Sequence, residues 1–207
     1  FNFEEILTHI GRSEKVLNMR VFLVLLFLIF SLQSWTKAED ISDFEIEGMS
    51  VGKSLKNYMS MAEIKKAEEN STFYNDKRYI VIFSNKISST YDDIEITYNP
   101  NDKNYIIQSL VGKVEYPDSY DECKSRKKDI AKEFESLFSN YTIDENESTH
   151  WYDKNSTVDV TDFFFNSGGF ARVSCTDWSV EMLNKHGWVD GLKISVGTDE
   201  FKKFLSE

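Results

Sequence analysis

Histidine and cysteine are scarce in this chain, with three and two residues among 207. A zinc site on the two cysteines would need partners that the three histidines hardly supply. No CxxC or HExxH pattern occurs. Gly48 and Gly52 are separated by one residue fewer than a phosphate-binding loop requires, so Lys53-Ser54 is misplaced for that role. Positive charge is also short, and the net charge is −11. Such a surface repels nucleic acid and anionic lipid, whose binding needs clustered Lys and Arg. Two prolines against 16 Phe and 10 Tyr exclude a disordered chain and point to a packed one.

One long apolar run is present, Val21 to Leu32, preceded by Met19-Arg20 and followed by a polar stretch ending Thr36-Lys37-Ala38. A basic start, an apolar segment and a small-residue end make a secretory signal peptide over 19–38. The run is shorter than the ~20 residues of a membrane span, so no stable membrane insertion is expected after cleavage. Residues 1–18 precede the natural start of such a signal and are read as upstream translation. Residues 39–207 are then one exported domain. A periplasmic or secreted location follows.

Export changes the reading of the cysteines. Two cysteines in an oxidising compartment pair, so Cys123 and Cys175 are expected to form a disulfide. The alternative is a thiolate nucleophile at Cys123, near a helix N-terminus that would lower its pKa. No histidine lies near it in sequence to act as its base.

Ser119 to Ser139 reads as a helix with Ser119 as N-cap and an apolar stripe of Cys123, Ile130, Phe134 and Leu137. Helix–break–helix character is expected over 51–69, with Ser50 and Ser60 as caps. Strands are expected at 78–84, 94–98 and 105–116, then at 159–165 and 170–177 around the turn Asn166-Ser-Gly-Gly169. Residues 140–155 read as a polar loop holding one short strand at 149–152. Residues 178–191 read as a loop or irregular helix, followed by a strand at 192–197 and a helix capped by Thr198. The expected class is α+β, a largely antiparallel sheet of meanders and hairpins against a central amphipathic helix, with a hint of two α-β-β-β units.

No catalytic residue, metal or cofactor is expected. His150 and His186 sit singly in polar stretches. Asp153 to Asp159 alternates oxygen side chains as calcium loops do, but lacks the turn glycine and the terminal acid. Four Asn-x-Ser/Thr triplets, at Asn70, Asn140, Asn146 and Asn155, would matter only in a eukaryotic secretory pathway. The aromatic content is the stronger signal. Trp151, Phe163, Phe165, Trp178 and Trp188 are expected to form a binding surface, unless a second layer covers that face of the sheet. The expected function is a non-enzymatic module that binds an envelope protein. The alternative is a hydrolase or small-ligand protein in which two or more of Asp92, Asp93, Asp159, Asp162 and Asp177 converge.

The opening Asp43-Phe-Glu-Ile-Glu-Gly-Met-Ser-Val-Gly52, the Cys123 helix, VSCTDWS around Cys175 and the closing VGTDEF resemble a family of small exported proteins of marine bacteria. The resemblance covers nearly all of 39–207 and implies an exported location without implying an activity. More weakly, GMSVGKSL before a helix and a meander is similar to small barrel-assembly lipoproteins and β-lactamase-inhibitor-like domains. That likeness implies a binding module, although no lipid-anchoring cysteine follows the apolar run here.

Overall fold

The computed structural model describes residues 40–84, 90–117 and 119–207. The stretches read as upstream translation and signal peptide lie outside the described residues.

The chain is α+β. In order it forms α1 (Met61–Glu68), β1 (Thr72–Phe73), β2 (Ile80–Phe83), β3 (Asp93–Tyr98) and β4 (Ile107–Glu115). Then come α2 (Tyr120–Leu137), β5 (Tyr141–Thr149), β6 (Thr157–Phe165), β7 (Phe170–Asp177), α3 (Val180–His186), β8 (Gly191–Gly197) and α4 (Asp199–Leu205). The eight strands make one sheet in the order β1-β2-β3-β4-β8-β7-β6-β5. Every neighbouring pair is antiparallel.

Side-chain alternation divides the sheet into two faces. On β7, Ala171, Val173 and Cys175 share a face and align with Val196, Ile194 and Leu192 of β8. The same face carries Phe163 on β6 and Leu110 on β4. It packs against Cys123, Ile130, Ala131 and Phe134 of α2 and against the opening segment through Ile46, Val51, Leu55 and Ile64. Each such side chain contributes roughly 1.5–3 kcal/mol by burial. Cys123 and Cys175 are at disulfide distance and are bonded, with Cα atoms 5.9 Å apart. Leu137, expected in the stripe, is 42% exposed, and Phe138 just beyond the helix fills the core instead.

The opposite face is covered at one end by α4. Phe201 packs with Tyr79 and Phe170, flanked by Tyr74, Phe164 and Phe204. Elsewhere this face carries part-exposed Val111, Val158, Val160 and Ser195.

Two local expectations differ from the structure. Residues 51–59 form turns and one 3-10 turn, Leu55–Asn57, instead of an α-helix. Their backbone is spent elsewhere. Gly52 and Leu55 N–H donate to Ile107 and Tyr105 carbonyls, and Ile107 N–H donates to Lys53. Gly52 also takes a positive φ of 76°, which glycine adopts without strain. The cap at Ser60 is present, with Ser60 and Glu63 bonded reciprocally. Residues 141–149, read as loop, form the nine-residue strand β5. Both of its faces are exposed, so its sequence has no apolar alternation to reveal it.

Candidate functional site

One end of the sheet gathers three connections: β5 to β6 (150–156), β7 to α3 (178–179) and α3 to β8 (187–190). Hydrogen bonds lock them together. Asp153 Oδ2 accepts from the Ser156 and Ser179 hydroxyls, each at 2.6 Å. Ser179 N–H donates to Ser156 Oγ at 2.9 Å, and the Ser179 hydroxyl accepts from Met182 N–H to cap α3. Asp190 Oδ1 accepts from Trp178 N–H at 2.6 Å. These hydroxyl bonds hold the Asp153 carboxyl below its ordinary pKa, the Ser156 bond most of all. The Asp153–Asp159 stretch, which resembled a calcium loop, thus spends its leading carboxylate on two serines.

This frame carries six rings in contact. His150 lies 4.4 Å from Trp178, Trp178 lies 4.6 Å from Trp188, and Trp188 stacks on His186 at 4.6 Å. Tyr152 joins Trp188 at 5.3 Å and Trp151 at 5.6 Å. Trp151 is 86% exposed and Tyr152 49%. Burial, and then the positive charge of Lys193, lower the His150 pKa. The His150 Nδ1 accepts from Tyr152 N–H at 3.2 Å.

Trp151, Trp178 and Trp188 are thus brought together. Phe163 and Phe165 are not with them, which corrects the sequence expectation. They are 0% and 4% exposed. Strand parity turns both toward α2, where Phe163 meets Phe134 at 5.6 Å and Phe165 meets Phe138 at 4.9 Å. Phe164 points the other way, to Lys202 of α4. Sequence reading missed His150 and His186 as members. Their signal was adjacency: His150-Trp151-Tyr152 and His186-Gly187-Trp188 are the only places where histidine and tryptophan fall together.

The five carboxylates of the alternative reading do not converge. Asp162 pairs bidentately with Arg172 on the open face, while Asp159 pairs with Lys127 on the α2 face. Asp92 and Asp93 accept backbone N–H groups of Glu115 and Ile94. The cavities beside α2 and α4 are lined by none of the five. Among the described residues no group of three or more His, Cys, Asp or Glu could hold a metal ion.

Asp177 stands apart, next to Asp190. Burial first, and then the Asp190 carboxylate and its hydrogen bond, raise the Asp177 pKa. An acid whose folded pKa lies above its unfolded value of about 3.9 favours folding at low pH. That benefit is lost as pH rises through the folded pKa. Asp177→Asn should therefore raise the melting temperature near neutral pH and leave it unchanged below about pH 4. Thermal melts of both proteins across that range check it.

The described residues include no helix long and apolar enough to cross a membrane. What the aromatic end can do is present π faces and indole N–H donors on a braced frame. No protein-family model, curated protein or solved structure matches the chain.

Proposed function

We propose that this is an exported, non-enzymatic binding module whose contact surface is the aromatic end of the sheet. Its place is the periplasm or the medium, and its partner is an envelope protein. The observation that carries the reading is Trp151, 86% exposed within a six-ring cluster that part-buried hydrogen bonds hold in place. Exposed contiguous apolar surface marks interaction sites, and tryptophan and tyrosine are enriched among the residues that dominate binding energy. Bracing by Asp153, Ser156 and Ser179 lowers the ordering cost on binding. The apolar run Val21 to Leu32 and the disulfide support export.

In this reading α2 is the packing spine of the domain. The sheet is two α-then-meander halves, α1 with β1–β4 and α2 with β5–β8, meeting where β4 pairs β8. The order of strands supports that division. A small-ligand alternative keeps one supporting observation. A cavity of about 320 Å³ lies between α2 and the sheet, lined by Tyr91, Val114, Ile130, Phe134 and Leu192.

The test is a photo-reactive residue placed at position 151 in the native envelope, with a second at Lys132 on the exposed side of α2. A defined adduct from 151 and none from 132 supports the reading.

A further inference from the structure

The two edges of the sheet are unlike. One ends in β1, only two residues long. The other is β5, nine residues, half-buried at Tyr141 and exposed along the rest. It pairs β6 from Tyr141↔Phe165 to Thr149↔Thr157 without a bulge. Among the described residues it has no neighbour on its outer side.

The direction of its backbone groups follows from the ladder ends. Asn166 N–H donates to Asn140 O at 2.9 Å, and His150 N–H donates to Ser156 O at 2.8 Å. Both continue the β5–β6 register. In an antiparallel pair, hydrogen-bonded and non-bonded positions alternate. Even-numbered residues therefore bond β6, and Tyr141, Ile143, Glu145, Glu147 and Thr149 turn N–H and C=O outward. Long exposed edges are normally blunted by bulges, proline or charged side chains, lysine above all. This one has no bulge, proline or lysine; its charges are all acidic, Asp144, Glu145 and Glu147.

Those charges select the occupant. A second copy is disfavoured. Antiparallel registers that oppose residue 144 to itself, 145 to itself, or 145 to 147 each set two carboxylates face to face, which destabilises pairing. Glu135 adds negative charge beside Tyr141. Lys124 offsets Glu147 alone, at 2.8 Å. We infer that β5 accepts an extended, lysine- or arginine-bearing segment of a partner protein as an added strand. Outward backbone groups supply the hydrogen bonds, and the carboxylates supply the selection. Basic side chains would lie opposite Asp144 and Glu145, and apolar ones opposite Tyr141 and Ile143. This surface is separate from the aromatic end, and the inference stands without that reading.

The probe is an end-blocked nine-residue peptide alternating lysine with threonine or valine, titrated onto the intact protein by fluorescence anisotropy at low salt. A matching peptide with glutamate for lysine is the control. The lysine peptide should bind saturably and the glutamate peptide at least about tenfold more weakly, with the difference shrinking as salt rises. Ile143→Pro removes an outward donor while sparing every bond to β6, and should weaken binding about tenfold or more. Asp144→Lys with Glu145→Lys should invert the preference toward the glutamate peptide, a gain that misfolding cannot imitate. Trp151→Ala should leave these affinities unchanged. Absence of saturable binding, binding indifferent to Ile143→Pro, or a preference that survives the charge reversal would each overturn the inference.

Discussion

Lys127→Met should destabilise the fold by about 3–5 kcal/mol, the cost of leaving a buried charge without its partner. Lys127 is 4% exposed, in the middle of the apolar face of α2. Its Nζ lies 2.6 Å from Asp159 Oδ1, and the two side chains are 5% and 12% exposed. Methionine fills the space of the lysine stem but leaves the Asp159 carboxylate desolvated. In a domain of this size the loss corresponds to a fall in melting temperature on the order of 10 °C. Replacing both partners, Lys127→Met with Asp159→Val, should recover most of it, because a well-packed apolar pair is often as stable as the ion pair. Urea denaturation of the two variants separates these outcomes. A single variant as stable as the parent would mean that Asp159 is solvated, contrary to the structure.

The second large effect is at the disulfide. Reduction, or Cys123→Ser with Cys175→Ser, should cost about 3–4 kcal/mol through the freedom regained by the unfolded chain. The bond spans 52 residues of sequence and joins the first turns of α2 to β7. Both cysteines are fully buried, so denaturation should precede reduction under mild reductant. Melting with and without dithiothreitol, next to the double serine variant, checks this. The serine protein should show the lower midpoint in both buffers, and the reductant should move only the parent.

These two sites show where sequence reading succeeded and where it stopped. The disulfide was legible because an expected export and the cysteine count leave few alternatives, and because Cys123 and Cys175 each share a face with apolar neighbours. The buried ion pair was not foreseen. Position 127 falls four residues after Cys123 and three before Ile130, so a lysine there interrupts the stripe. Nothing local says which carboxylate meets it. Asp159 does so because β6 pairs β7 with Asp159 opposite Cys175, a register no single segment encodes. The same limit produced the error at Phe163 and Phe165. Alternation put them together on one face but could not say that α2 would cover it. β5 escaped notice for the opposite reason. An edge strand exposed on both faces buries nothing, and hydrophobic period is the signal by which strands are read. The aromatic end was legible as a set of residues and not as a place. Trp151, Trp178 and Trp188 come from three connections that meet only when the sheet has formed.

In the proposed reading, stability and recognition occupy different parts of the molecule. The core, the ion pair and the disulfide lie under α2, while the exposed rings lie beyond the strand ends. Photo-crosslinking from position 151 in the native envelope, with position 132 on α2 as reference, tests that separation most directly. Recognition at the aromatic end predicts one defined protein adduct from 151, lost when Trp188→Ala is introduced beside it, and no such adduct from 132. The same adduct from both positions, or one indifferent to Trp188→Ala, would contradict it.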